Sequence, residues 1–150
     1  MSNVTTIYNT LLTSLASLFS SRTRIANPYS IEDNTVIFLK KGYGLKIGSS
    51  SVGEGEFCTY VYDLNVSVTL TNQVVKLESS TDAHDDPVKE LLEASNTLQD
   101  AWLDGNQIGI ESSISKVDFN GTSEVNFVNA GKNNFVTMDV SFIIQIREDL

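Results

Sequence analysis

Thr59-Tyr60-Val61-Tyr62-Asp63-Leu64-Asn65-Val66-Ser67-Val68-Thr69-Leu70-Thr71 decides the fold class. Tyr60, Tyr62, Leu64, Val66, Val68 and Leu70 take every second position, and polar residues fill the alternates except at Val61. Successive side chains of an extended chain point to opposite faces, so the stretch reads as a long strand with one face in a core and one toward water. Its apolar face starts at Cys58, which reads as a small core side chain rather than a reactive thiol.

The same period closes the chain. Val136, Met138, Val140, Phe142, Ile144 and Ile146 alternate with Thr137, Asp139, Ser141, Gln145 and Arg147, Ile143 being the exception, which predicts a second half-buried antiparallel strand. Before it, Ile114, Val117 and Phe119 lead to Asn120-Gly121, read as a hairpin turn, after which Val125 and Phe127 share a face. Another turn falls at Asn129-Ala130-Gly131-Lys132. Upstream, Thr35 to Lys40 and Tyr43 to Ile47 are short β-rich runs parted by Lys41-Gly42, either two strands or one bent strand. Ser49 to Glu56 is small and polar without periodicity, which predicts a flexible loop.

Two segments change to a helical period. From Val4 the apolar residues fall at Ile7, Tyr8, Leu11, Leu12, Leu15, Leu18 and Phe19, predicting a helix over about 3–20 with Ser2 or Asn3 as its cap. Asn27-Pro28 breaks whatever remains of it. Asp86-Pro87 opens a second helix, the aspartate capping free amides and the proline fitting the first turn, with an apolar stripe at Val88, Leu91, Leu92, Leu98 and Trp102 and a stop at Gly105. The order α-β-β-β-α-β-β-β with hairpin-length turns predicts an α+β fold: a mainly antiparallel sheet with two helices packed on one face.

The 150 residues suit one domain spanning 1–150, and folding at that length buries about 70% of the unfolded surface. No repeat or long linker divides them. With 41% apolar and 19% charged residues the chain is neither disordered nor a membrane span. A net charge of -9 disfavours a phosphate-binding surface. The N-terminus lacks a basic region followed by an apolar run, so the expectation is a protein that stays in the cytoplasm where it is made.

Chemistry is sparsely provided. One cysteine, Cys58, and one histidine, His84, leave no zinc cluster and restrict any nucleophilic triad to His84. Gly42-Tyr43-Gly44-Leu45-Lys46-Ile47-Gly48 places its third glycine one position late for a dinucleotide fingerprint, and no helix follows it. Asp82, His84, Asp85 and Asp86 are ligand types for a divalent cation, but they stand before a helix, where the dipole and capping favour acids without any metal. The pairs Arg22 with Arg24 and Lys40 with Lys41 show no aromatic interleaving of the kind that binds single strands, and read as solvated or interface residues. The expectation is a protein with no enzymatic activity, cofactor or metal.

Asn27-Pro28-Tyr29, Glu32-Asp33-Asn34, Phe38-Leu39, Gly42 to Gly48, Val66-Ser67-Val68-Thr69-Leu70-Thr71 and the closing Ile144-Gln145-Ile146-Arg147-Glu148-Asp149, in this order of elements, are similar to the tail-terminator (tail-completion) proteins of long-tailed bacteriophages. The resemblance covers most of the chain. It implies a structural virion protein, assembled in the host cytoplasm and carried at the head–tail joint, that forms a homo-hexameric ring on the last ring of the tail tube. Such a ring ends tube polymerisation and docks to the head–tail connector protein, and DNA passes through it without specific binding or any membrane. No catalytic residues carry over.

Within that reading, Ser49, Ser50, Ser51, Val52, Gly53, Glu54 and Gly55 are the candidate partner-docking loop, disordered until a partner orders it. On the second helix Asp86, Glu90, Glu93, Asp100 and Asp104 stack on one face, and Glu90, Glu93, Asp100 and Asp104 are candidate channel-lining acids that repel passing DNA. Two other readings stay open: another neck component such as a head-to-tail stopper or adaptor, and a small hydrolase or ligand-binding module using the acids near His84.

Overall fold

The computed structural model describes residues 2–52, 59–74, 85–103, 114–130 and 133–149. In chain order the elements are α1 (Ser2–Leu18), β1 (Thr23–Arg24), a 3₁₀ turn (Ile31–Asp33), α2 (Val36–Leu39), β2 (Lys41–Val52), β3 (Thr59–Val74), α3 (Asp85–Leu103), β4 (Ile114–Thr122), β5 (Asn126–Ala130) and β6 (Asn133–Asp149). They form the expected α+β architecture around a mostly antiparallel sheet of order β1-β2-β3-β6-β4, with β5 also paired to β6.

The two alternating stretches are its central pair. β3 lies antiparallel to β6 with Tyr62 opposite Ile146, Leu64 opposite Ile144, Val66 opposite Phe142, Val68 opposite Val140 and Leu70 opposite Met138. Both apolar rows therefore share one face, and β2 extends it by setting Tyr43 and Leu45 opposite Leu70 and Val68. Over that face lie Ile7, Leu11 and Leu15 of α1 and Leu91, Leu98 and Trp102 of α3, all without solvent exposure. Each such side chain contributes about 1.5–3 kcal/mol of transfer free energy. Aligning the rows thus accounts for both the sheet register and the helix placement.

Residues 25–39 cover one end of the opposite face, which the sequence reading left open to water. Ile25, Leu39 and Phe135 form a small second core there. Asn34 holds the covering loop, its Nδ2 donating to the Asn27 and Ser30 carbonyls at 2.8 and 2.9 Å while its Oδ1 accepts from the Asn27 N–H at 2.8 Å. Two glycines permit the close approach. A Cβ on Gly44 would stand 2.6 Å from Pro28 Cβ, and one on Gly42 would meet the Phe38 carbonyl oxygen and stand 2.5 Å from Thr71 Oγ1.

Several expected elements are corrected. Thr35–Lys40 contains no strand: Val36–Leu39 is one helical turn, which brings Val36 and Leu39, three residues apart, onto the second core and leaves Ile37 62% exposed. Lys41-Gly42 is not a break between strands but the start of β2, and β1 pairs with it in parallel. Asn120-Gly121 is no hairpin turn. β4 and β5 both pair with β6, end to end, and the register shift between Phe119 and Thr122 makes Asn120-Gly121 a bulge, with Gly121 at φ +98°. Ser123 spans the gap after it, donating its N–H to the Asp139 carbonyl at 2.8 Å and accepting the Asp139 N–H on Oγ at 2.9 Å. Asn129 and Ala130, expected in the later turn, are the last residues of β5 and pair with Asn134 and Asn133, while Gly131 and Lys132 lie outside the described residues.

The helix limits also move. α1 ends at Leu18, and α3 starts at Asp85, so Asp86 lies inside the first turn instead of at the cap, while Pro87 lies in the first turn as expected. Pro87 sits where a missing N–H costs no hydrogen bond. Gly105 lies outside the described residues.

Candidate functional site

Ser49, Ser50, Ser51 and Val52 are the last residues of β2, not a loop. Ser50, Ser51 and Val52 pair with Leu64, Asp63 and Tyr62, and a register shift after Ile47 resets the strand. Asn65 Nδ2 donates to both the carbonyl and the Oγ of Ser49 at 3.1 Å. The neighbouring long strand β3 supplies a ladder, and that outweighs the weak strand preference of three serines. Gly53, Glu54 and Gly55 lie outside the described residues, as do Cys58, Asp82, His84 and Asp104.

On α3, Glu90, Glu93 and Asp100 are exposed together with Asp86, as a shared helix face requires. Glu90 is nevertheless not a bare acid. Its Oε2 lies 3.6 Å from Lys41 Nζ and accepts from Asn72 Nδ2 at 3.2 Å, so a base from the start of β2 attends the acidic stripe.

Lys41 and Asn72 belong to a wider junction that sequence reasoning missed. Arg22, in the turn that follows α1, points inward, its Nη1 donating to the Thr71 carbonyl at 3.0 Å and to Asn72 Oδ1 at 2.9 Å, and Asn72 Nδ2 donates to the Pro87 carbonyl at 2.9 Å. Burial lowers the Arg22 pKa and the Glu90 charge partly opposes that shift. Arg22 is therefore a junction between α1, the sheet and α3, not a solvated residue. A cavity of about 340 Å³ adjoins it, with Leu18, Phe19, Arg22, Lys41, Glu90 and Glu93 among its lining residues.

The polar sheet face holds a second charged group. Asp139 accepts from Thr69 Oγ1 at 2.6 Å on one oxygen and from Lys46 Nζ at 2.9 Å on the other. It forms the floor of a cavity of about 250 Å³ between Tyr29, Glu32 and Asn126. With both oxygens engaged by its neighbours, Asp139 acts as a tie across three strands, linking β2, β3 and β6. Among the described residues no three His, Cys, Asp or Glu side chains are placed to hold a metal ion. Among the described residues no helix is long and apolar enough to cross a membrane.

The sheet ends differ from one another. On one side β1 pairs only with Gly42 and Tyr43, the Tyr29 hydroxyl accepts the Ile47 N–H at 3.0 Å, and among the described strands none borders β2 from Gly48 to Val52. Val52 at that end is 73% exposed. On the other side β4 and β5 form an outer rim carrying Phe119 and Phe127, 41% and 57% exposed. Unpaired strand edges are ready templates for another strand. No protein-family model matches the chain, and no curated protein matches it either.

Proposed function

We propose that this chain is a structural virion subunit that assembles head to tail into a ring, caps a phage tail tube, ends its polymerisation and presents a docking surface to the head–tail connector protein. The observation that supports this best is that, among the described strands, one sheet ends in two dissimilar edges, β2 from Gly48 to Val52 and the β4–β5 rim. A contact between unlike surfaces repeats from copy to copy and closes into a ring when the rotation between neighbours divides a full turn. The similarity of Asn27-Pro28-Tyr29, Gly42 to Gly48 and the closing strand to tail terminators supplies the sixfold number, the tail-tube partner and the place in the virion. In this reading Glu93 and Asp100, which are exposed on α3, are the acids that repel DNA in the channel.

Native mass spectrometry and negative-stain imaging of the purified chain test the reading, followed by addition to growing tail tubes. Rings of six 16.5 kDa subunits that halt tube growth are expected. A chain that stays monomeric with tube ends present overturns it.

A further inference from the structure

We propose that Asn120-Gly121 on the outer rim is a site of spontaneous deamidation, at which the Asn120 carboxamide passes through a succinimide to aspartate and isoaspartate. Every other asparagine of the chain is followed by a residue with a side chain, so the pair is unique in the sequence. The fold leaves it out of the ladder. Phe119 pairs with Phe142 and Thr122 with Val140, so Asn120 and Gly121 stand together against Ser141 alone and have no partner in the register. Asn120 is exposed, whereas Asn34 and Asn72 are buried and donate their carboxamides to backbone carbonyls at 2.8 and 2.9 Å.

The reaction needs only base and water. Once deprotonated, the Gly121 nitrogen attacks Cγ of Asn120, and the bond it forms closes a five-membered imide while the carboxamide nitrogen takes up a proton and leaves as ammonia. Water then opens the ring. Cleavage at Cγ gives aspartate, and cleavage at the Asn120 main-chain carbonyl gives isoaspartate, whose chain runs through Cβ and Cγ. No electrons change hands in either case. A side chain after the asparagine would crowd the attacking nitrogen, and glycine has none. Nothing lies within 4 Å of the position that a Gly121 Cβ would take, so the ring has room to form.

Isoaspartate lengthens the main chain by one atom at the joint between β4 and β5. On one side stands Phe119, its ring centroid 6.0 Å from that of Phe142, and on the other Ser123 is clamped to Asp139 by hydrogen bonds of 2.8 and 2.9 Å. Both contacts are fixed to β6, so an added atom between them strains one or the other. Each product also adds a carboxylate between Asp118 and Glu124, in a chain whose net charge is already -9. Deamidation therefore loosens the rim as the chain ages. The reaction requires only the folded chain and does not depend on ring assembly.

Incubation of the purified folded chain at mildly alkaline and at mildly acidic pH, followed by proteolysis and peptide mass mapping, tests the site. At alkaline pH the peptide holding Asn120 should gain the mass difference between amide and acid and elute as two isomers, while at acidic pH it stays unchanged. The urea-unfolded chain sets the time scale. Gly121→Ala is expected to slow the reaction about tenfold, because the added methyl crowds the nitrogen. Asn120→Gln, whose closure needs a six-membered ring, should prevent it over the same period. The deamidated fraction, separated by its added charge, should unfold at a lower urea concentration than fresh chain, and Asn120→Asp, which adds the charge without the extra atom, should fall between them. An Asn120 that keeps its amide in the folded chain for as long as the unfolded chain takes to lose it overturns the proposal, as does a rate unchanged in Gly121→Ala. A deamidated fraction with the midpoint of fresh chain overturns the loosening of the rim.

Discussion

Trp102 Nε1 donates to Ser14 Oγ at 2.8 Å, a buried side-chain bond that joins α3 to α1 across 88 positions of sequence. The indole would otherwise carry its N–H into an apolar layer, since Trp102 has no exposure and packs on Phe142. Ser14→Ala leaves that donor unsatisfied, and the expected loss is about 1–3 kcal/mol of unfolding free energy. Urea denaturation followed by tryptophan fluorescence measures it, and Ser14→Thr, which keeps the hydroxyl, should lose less.

Arg22 is a second long-range tie. Removing its guanidinium leaves the Thr71 carbonyl and Asn72 Oδ1 without that donor in a part-buried place. Arg22→Met is expected to cost roughly 1–3 kcal/mol despite keeping much of the apolar stem. Thermal unfolding of the variant beside Arg24→Met, at an exposed position, checks that the loss belongs to the junction and not to lost charge.

Two glycines should respond to alanine for different reasons. At Gly42 the added methyl meets the Phe38 carbonyl oxygen and Thr71 Oγ1, so overpacking of about 1–3 kcal/mol is expected. At Gly121 nothing lies within 4 Å, and only the φ of +98° resists a side chain. There the expected cost is roughly 1 kcal/mol, and Gly121→Asn should recover part of it, because asparagine tolerates the left-handed region. Equal losses at both alanine variants would contradict this division.

Deletion of Ser50 to Gly55 removes paired residues and not merely a loop. Because Ser50, Ser51 and Val52 lie against Leu64, Asp63 and Tyr62, the deletion should lower the unfolding midpoint. Deleting only Gly53 to Glu56 should lower it less. Scanning calorimetry of the two forms separates a structural role for the serines from a docking role beyond them.

Glu93→Lys with Asp100→Lys changes exposed residues of α3 and is expected to preserve fold and assembly. If the stripe faces a DNA channel, the variant ring should retain duplex DNA at low salt and release it as salt rises. Glu90 is left untouched because it is tied to Lys41 and Asn72. Filter binding over a salt series reads the outcome, and a variant that retains no more DNA than wild type counts against the channel role.

Period alone determined the α+β class, the two central strands and the two long helices: rows such as Tyr62 to Leu70 and Val136 to Ile146 have one way to hide their apolar side, and the register joins them. Tertiary structure decided what depends on a neighbour distant in sequence. Ser49–Val52 became strand because β3 offers a ladder, Val36–Leu39 became a helical turn because Phe135 and Ile25 need cover, and Asn120-Gly121 became a bulge because both flanking segments pair with β6. The candidate surfaces divide in the same way. Exposed acids at Glu93 and Asp100 were legible from helical spacing, but the solvation of Leu92, the burial of Arg22 and the pairing of Glu90 were not. A side chain's period names its face of a helix, whereas its exposure depends on which element lies across from that face, and local sequence carries no record of that.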